Sequence, residues 1–254
     1  MNKTTRRCFA ITLLGLAAAG SAQAWSWSFG GSERVEGNGE LATDRRDVGA
    51  FDVVALSSSF KVVVRQGGAD KVEVRTDGNL LPYLETRVVD GSKGRTLEIS
   101  AKPGFRLSSR NTPIITVDVR QLHGVSISGS GEIRVESMKV TGPLDASIAG
   151  SGDIRLMGVE AERVGLRVSG SGDIVANGKA ANLQVSVTGS GDVKARELAV
   201  DDAKVSIAGS GDVTVQARRR LEVSIAGSGD VGYVGSPEVS MSNAGSGSVR
   251  RLKD

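Results

Sequence analysis

The tripeptide Gly-Ser-Gly recurs at a nearly constant interval through the second half of this 254-residue chain. An acidic residue follows six of the seven copies, so that the usual form is Gly-Ser-Gly-Asp. The copies begin at Gly129, Gly150, Gly170, Gly189, Gly209, Gly227 and Gly245. The intervals of 18 to 21 residues are typical of a structural repeat. A unit this short cannot bury an apolar face alone, so successive units are expected to stack on one another.

Hydrophobic and polar residues alternate with a period of two around each Gly-Ser-Gly-Asp corner. In the copy at residues 205–215, Val205, Ile207, Val213 and Val215 share one phase with both glycines. Such alternation is typical of strands that have one buried face. We therefore predict that both glycines of each corner face the core, where the absence of a Cβ atom allows a tight bend and close backbone contact.

Three short apolar runs fit between consecutive corners, which is enough for about three strands in each unit. One unit carries the pairs Val193/Ala195, Leu198/Val200 and Val205/Ile207. Stacking such units about 4.8 Å apart gives an all-β fold. We predict a right-handed parallel β-helix, a single-stranded solenoid with coils of roughly 20 residues. The 34 glycines and the aromatic content of only 4% agree with a chain that turns often and packs small side chains.

The beginning of the chain has the pattern of an export signal. A basic segment at residues 1–7 precedes an apolar stretch at residues 9–19, and residues 22–24 form a small-x-small cleavage site. We expect residues 1–24 to be a signal peptide and the mature chain to be located in the periplasm, at the cell surface or outside the cell. The twin arginines in the basic segment leave both the general secretory and the twin-arginine routes open.

Removal of the signal changes the charge and the cysteine count. The signal holds three of the 32 basic residues and none of the 29 acidic ones, so the mature chain has 29 of each. A net charge of zero gives no reason to expect nucleic acid as a partner. Cys8, the only cysteine, is lost with the signal, which excludes disulfides and thiolate metal sites from the mature chain. We also expect no transmembrane segment.

The repeats divide the chain into regions of different regularity. We predict a lead-in or linker at residues 25–47 and a β-helix domain at residues 48–254. Within this domain, residues 48–122 are expected to form irregular early coils, and residues 123–254 the regular repeats. A separate small β-subdomain at residues 48–122 is the alternative.

At this point the chain resembles a family of bacterial auto-transporter adhesins with a head GIN domain, a domain of unknown function. The resemblance covers about residues 36–252. It is carried by Asp-Val-Gly-Ala-Phe-Asp at residues 47–52, the Gly-Ser-Gly-Asp corners, Val-Gly-Tyr-Val-Gly-Ser-Pro at residues 231–237 and Gly-Ser-Gly-Ser-Val-Arg at residues 245–250. The resemblance implies a β-helical fold and a location in the cell envelope or at the surface. It implies no established activity.

The corner acids are the sharpest candidates for a ligand site. If the coils stack in register, the acids form an outer column, in which Ca²⁺ could relieve the repulsion between carboxylates. The calcium candidates are Asp153, Asp173, Asp192, Asp212 and Asp230. Glu132 holds the same position in the first corner. The alternative is that each acid only accepts hydrogen bonds from nearby backbone N–H groups. We expect no cofactor.

The residue inventory gives little support for catalysis. His123 is the only histidine, and we expect it to face solvent at the end of a strand, so triads and histidine zinc sites are not expected. The leading interpretation is an adhesin-like binding or scaffold protein whose partner is a glycan or an envelope protein. One alternative is a polysaccharide lyase or hydrolase that uses carboxylates in loops at residues 85–115. The other is a purely structural periplasmic protein. The oligomeric state stays open.

Overall fold

A computed structural model describes residues 32–91 and 94–253 of the protein. The signal peptide predicted at residues 1–24 lies outside the described residues. The strands of the first half are β1 Glu33–Glu36, β2 Leu41–Arg46, β3 Val53–Ser57, β4 Lys61–Gln66, β5 Lys71–Asp77, β6 Leu84–Gly91, β7 Gly94–Ala101, β8 Phe105–Ser108 and β9 Ile114–Val119. A 3₁₀ turn at Gly78–Tyr83 separates β5 from β6.

The second half consists of longer strands that follow the repeats. They are β10 Gly124–Gly129, β11 Glu132–Glu136, β12 Met138–Lys139, β13 Pro143–Gly150, β14 Asp153–Gly170, β15 Asp173–Gly189, β16 Val193–Gly209, β17 Val213–Gly227, β18 Val231–Val234, β19 Glu238–Gly245 and β20 Val249–Arg251. No helix in this part or in the rest of the described chain is long and apolar enough to cross a membrane.

The repeats stack in register as parallel coils, which confirms the predicted β-solenoid. Each first corner glycine pairs with the corresponding glycine of the next coil, from Gly129 through to Gly245. β14 shows how one coil is built, because its start pairs with β11, its middle with β12 and its end with β13. The right-handed sense of the coil stays a prediction.

Two sheets run along the solenoid, and we name them by their strands. Face A consists of β6, β7, β3, β10, β13, the ends of β14 to β17, and β19, in this spatial order. Face B consists of β2, β5, β9, β4, β11, the starts of β14 to β17, β18 and β20. The middle parts of the long strands form a short third side.

The first half of the chain does not stack in chain order. The coil that contains β3 and β4 lies between the coil of β7 and β9 and the coil of β10 and β11. The chain therefore first forms the second coil of the solenoid, with β3 and β4. Residues 67–122 then form the coil at the end, and the third coil begins with β10. The antiparallel strands β2, β5 and β6 border this end. Residues 32–47, in the predicted lead-in, contain β1 and β2.

Small branched side chains fill the core, as the alternation predicts. Val205, Ile207 and Val213 are at most 2% exposed, and they belong to one continuous hydrophobic cluster that extends from Phe51 to Val231. The corner glycines differ from the prediction in one respect. The second glycine of each corner is buried, whereas the first is partly or fully exposed, and in the six corners before Gly245 this first glycine has positive φ.

At the other end of the solenoid, no coil among the described residues covers the last strand of face A. β19 pairs only with β17 among the described strands, and it leaves Val239 and Met241 38% and 57% exposed. Asn243, on the same phase, donates its side-chain N–H to the carbonyl oxygen of Gly247 over 2.7 Å. The two ends are therefore different in construction.

Candidate functional site

From the second corner onward, the first glycines of the repeated corners stack so closely from coil to coil that no side chain fits at these positions. A Cβ atom built on Gly150 would lie only 2.5 Å from the carbonyl oxygen of Gly129 in the coil below. The same conflict recurs at Gly170, Gly189, Gly209, Gly227 and Gly245. Since the first glycine of each of these corners stacks on the glycine below it, these glycines support the fold and present no side chain to a ligand.

The corner aspartates form a ladder along the solenoid. A carboxylate oxygen of Asp192 accepts the backbone N–H of Asp212 over 3.0 Å, and Asp212 does the same for Asp230 over 2.9 Å. The ladder begins where Asp173 accepts the N–H of Asp192 and ends where Asp230 accepts both the N–H and the hydroxyl of Ser248. These hydrogen bonds hold the pKa of Asp230 below its ordinary value.

The first two corner acids do not join this ladder. Glu132 instead pairs with Lys61 at 2.9 Å and with Arg155 at 3.4 Å, and the N–H of Asp153 bonds to the carbonyl of Gly131. Within residues 32–91 and 94–253, no group of three or more His, Cys, Asp or Glu side chains is placed to hold a metal ion. Calcium binding at the corner aspartates stays a prediction.

A groove lined by polar side chains and by Leu183, Ala203 and Leu221 crosses several coils where the third side meets face A, and we call it the cross-coil groove. Its volume is about 790 Å³. One row of its side chains, in register from coil to coil, is Arg163, Asn182, Asp202, Arg220 and Glu238. The second row is Gln184, Lys204, Glu222 and Ser240. Every member of these two rows can donate or accept hydrogen bonds.

Ion pairs hold four of the charged side chains that line the cross-coil groove. Asp202 accepts hydrogen bonds from Arg219 at 2.7 Å and from Arg220 at 3.2 Å. The hydrogen bond from Arg220 is the main reason why the pKa of Asp202 lies below its ordinary value. Lys204 and Glu222 form a second pair at 2.7 Å. The amides of Asn182 and Gln184 make no described hydrogen bond, and they are free to contact a ligand.

A second concave site lies at the irregular end of face A, and we call its three central residues the polar column. Arg95, Asp52 and His123 directly precede β7-Thr96, β3-Val53 and β10-Gly124, which are register partners. Backbone hydrogen bonds extend the strand pairing to these residues. The N–H of Asp52 bonds to the carbonyl of Arg95, and the N–H of His123 bonds to the carbonyl of Asp52. Three side chains that are distant in sequence thus lie side by side.

The polar column occupies a position that is apolar in the regular coils. The positions that continue it beyond His123 are Leu144, Val164, Leu183, Ala203 and Leu221, all of which are buried. Polar residues at a core position usually have a functional reason. This pattern is also visible in the sequence, because Asp52, Arg95 and His123 share the phase of the buried residues that follow them.

The geometry around Asp52 leaves hydrogen-bonding capacity unused. Its Oδ1 atom is buried and has no hydrogen-bond partner among the described residues, whereas Oδ2 lies 3.5 Å from Nδ1 of His123. The His123 side chain is 37% exposed and faces this carboxylate, so the expected solvent-facing histidine is only partly correct. Gly94 permits the arrangement, because a Cβ atom there would collide with the carboxylate of Asp52.

No two acids of residues 85–115 lie directly opposite each other in the register of the β6–β7 hairpin. The predicted loops are largely strands, since β6 and β7 form an antiparallel hairpin there. Register places Glu98 opposite Arg87, Asp90 opposite Arg95 and Glu85 opposite Ser100, so no acid of this hairpin faces another acid. Arg87 and Glu98 form an ion pair at 2.8 Å.

Comparisons with known proteins agree with this architecture. A family model described as "Putative auto-transporter adhesin, head GIN domain" matches residues 50–237. The curated proteins give no match. A crystal structure described as a "putative lipid binding protein" from Parabacteroides distasonis ATCC 8503 is 28% identical, with a TM-score of 0.71, and the match covers 87% of this chain and all of that one.

Two further solved structures show the same fold. A "putative adhesin" from Bacteroides fragilis NCTC 9343 is 23% identical with a TM-score of 0.75, and the match covers 86% of this chain and all of that one. Another from Parabacteroides merdae ATCC 43184 is 24% identical with a TM-score of 0.69, and the match covers 87% of this chain and all of that one.

Proposed function

Because the chain belongs to the head GIN domain family of adhesin-like proteins, we propose that it is a non-catalytic binding protein of the cell envelope. The predicted export signal supports a location outside the cytoplasm. The family and the solved structures similar to the chain are described as adhesins or binding proteins. Each acid of the β6–β7 hairpin lies opposite an arginine or a serine and not opposite another acid, which agrees with a role without catalysis.

The cross-coil groove is the proposed ligand surface, and an extended glycan is the proposed ligand. The single observation that carries this is the in-register array of hydrogen-bonding side chains over consecutive coils. A spacing of about 4.8 Å between coils gives the row from Arg163 to Glu238 a length of about 19 Å. A row of this length suits several linked sugar residues, whose hydroxyl groups both donate and accept hydrogen bonds. The solved relative described as lipid-binding offers a different ligand class, but charged and amide side chains favour a polar one.

Rigidity supports this function. The ion pairs of Asp202 and Lys204 hold neighbouring side chains in place, and the strands beneath them are part of a continuous ladder. A preorganised surface loses little conformational freedom on binding, which favours affinity. The free amides of Asn182 and Gln184 then supply adaptable contacts.

Calorimetric titration with neutral and acidic oligosaccharides of three to five sugars tests the proposal. We expect at least one oligosaccharide to bind, and the double variant Asn182→Ala with Gln184→Ala to weaken binding at least tenfold. The matched control is Thr214→Ala with Gln216→Ala on β17, which should leave affinity within twofold. Binding that the groove variant leaves unchanged would place the ligand elsewhere, and no binding by any oligosaccharide would favour a purely structural role.

Cell fractionation tests the location separately. We expect the protein in the periplasmic, outer-membrane or secreted fraction, with its first residue at Trp25. Recovery of the intact chain in the cytoplasm would contradict both the export signal and an envelope role.

A further inference from the structure

We propose that the polar column of Arg95, Asp52 and His123 is a second binding site, which takes a small hydroxylated carboxylate such as a uronic acid. This site is separate from the cross-coil groove, with which it shares no lining residue. It lies in a half-open cavity of about 440 Å³, within the range of small-molecule sites. Its size suits one sugar unit.

Polar residues at the position of the polar column do not stabilise the protein in the absence of a ligand. Asp52 exposes a third of its side chain, yet its Oδ1 atom is buried, and no described residue donates a hydrogen bond to it. A buried acceptor without a partner is unfavourable, and the regular coils avoid it by placing leucine, valine or alanine at the corresponding position. A ligand toward which the Asp52 side chain rotates would donate hydrogen bonds to both carboxylate oxygens, offset the desolvation and explain why the position is polar.

Among the described residues, Arg95 has only one ion-pair partner for its positive charge. Its guanidinium makes no described hydrogen bond, and its acidic neighbour, Asp90, is 3.7 Å away and 93% exposed. A planar guanidinium recognises a carboxylate through two parallel hydrogen bonds. Arg95 therefore determines the anionic half of the proposed ligand.

Asp52 and His123 determine the other half. The 3.5 Å separation between Oδ2 of Asp52 and Nδ1 of His123 is longer than a good hydrogen bond, so both groups can reorient toward a ligand. A carboxylate accepts hydrogen bonds from hydroxyl groups, and imidazole can donate or accept them. Vicinal hydroxyls of a sugar ring satisfy both residues together, which a simple anion cannot do.

The opposite wall of the cavity is rigid. Arg120 donates from Nη2 to Asp70 over 2.9 Å, and its backbone N–H bonds to the second oxygen of the same carboxylate. The side-chain bond to Asp70 raises the pKa of Arg120 and holds its guanidinium at the rim. Phe51, which is 4% exposed, provides an apolar surface beside Asp52.

Titration with three probes, followed by NMR chemical-shift changes and calorimetry, tests the proposal. D-glucuronate carries both a carboxylate and hydroxyls, D-glucose only the hydroxyls, and acetate only the carboxylate. We expect glucuronate to bind at least tenfold more tightly than either partial probe. The variants Arg95→Gln and Asp52→Asn should each weaken glucuronate binding at least tenfold.

Arg87→Gln is the matched control, because Arg87 lies in the same β6–β7 hairpin and pairs with Glu98 away from the cavity. It should leave glucuronate affinity within twofold. His123→Gln is a second test if Asp52→Asn fails to fold. Equal affinity for acetate would reduce the site to a plain anion site, and absence of glucuronate binding would overturn the proposal. Oligosaccharide binding at the cross-coil groove is measured independently, so each proposal can fail alone.

Discussion

The irregular and the regular coils fill the same core position with opposite chemistry. In the regular coils, Leu144, Val164 and Leu221 are at most 1% exposed. In the irregular coils, the polar column occupies the same position and remains a third or more exposed. The regular coils therefore maximise burial, whereas the irregular end gives up part of its core to form a cavity. In repeat proteins, a departure from the repeat of this kind indicates where to look for a ligand.

The corners of the two regions differ in a second way. Gly209 stacks directly on Gly189, whereas the coil beneath Gly129 has serine at its corner. A Cβ atom on Gly129 would come no closer than 3.6 Å to Ser58, which is ordinary contact. Both glycines have positive φ, at 140° and 126° respectively. The backbone requirement is thus shared, and the steric one is specific to the regular coils.

The largest expected effect separates these two requirements. Gly209→Ala adds a collision with the backbone of Gly189 to the strain of positive φ, and we expect a loss of about 4 kcal/mol or failure to fold. Gly129→Ala incurs only the strain, about 1–2 kcal/mol. Chemical denaturation of both variants measures the difference, with the unobstructed Gly68→Ala as control. Equal losses would show that stacking of the glycines contributes nothing.

The next prediction is that the same change, aspartate to leucine, raises the free energy of unfolding in the polar column and lowers it at a regular corner. Asp52→Leu is nearly isosteric and places the residue of the regular coils in the polar column, so we expect a gain of about 1 kcal/mol in unfolding free energy. Asp192→Leu removes a ladder acceptor on the surface, and we expect a loss of about 1–2 kcal/mol. Thermal and urea unfolding would test both. A loss at Asp52 would mean that the carboxylate stabilises the free protein.

A smaller effect is expected within the corner acids. Asp212→Ala leaves the backbone N–H of Asp230 without its acceptor and should lower the free energy of unfolding by about 1 kcal/mol. Asp153→Ala should change it by less than about 0.5 kcal/mol, because the Asp153 carboxylate makes no described hydrogen bond to the next coil. Asp212→Asn keeps an acceptor oxygen and should restore most of the loss. Similar losses at Asp153 and Asp212 would contradict the ladder.

The smallest prediction concerns pH. The hydroxyl and the N–H of Ser248 hold the pKa of Asp230 below its ordinary value of 3.8. A lowered pKa in the folded state means that the stabilisation is present above pH 3.8 and is lost as the pH falls toward the folded pKa. Asp230→Asn should therefore lose less stability than the parent as the pH falls through and below 3.8. Identical pH profiles from urea denaturation would contradict this.

Much of the fold could be predicted from local patterns in the sequence. The period of the corners, the alternation around them and the need for small residues are properties of neighbouring residues in the chain, because strand phase has a period of two and a tight corner excludes Cβ atoms. Stacking followed from the inability of one unit to bury its own apolar face. The resemblance carried by residues 47–52 and by the corners indicated the family.

Long-range register decided the rest, because no local pattern encodes which distant strands become neighbours. The insertion of β3 and β4 between later strands brings Asp52 between Arg95 and His123, and the sequence alone places these residues far apart. The sequence also did not show that the first corner glycine is exposed, because its exposure depends on how the turn is oriented relative to the coil below. The repeat and its corners were thus determined by the sequence, and the cavity only by the tertiary arrangement of the coils.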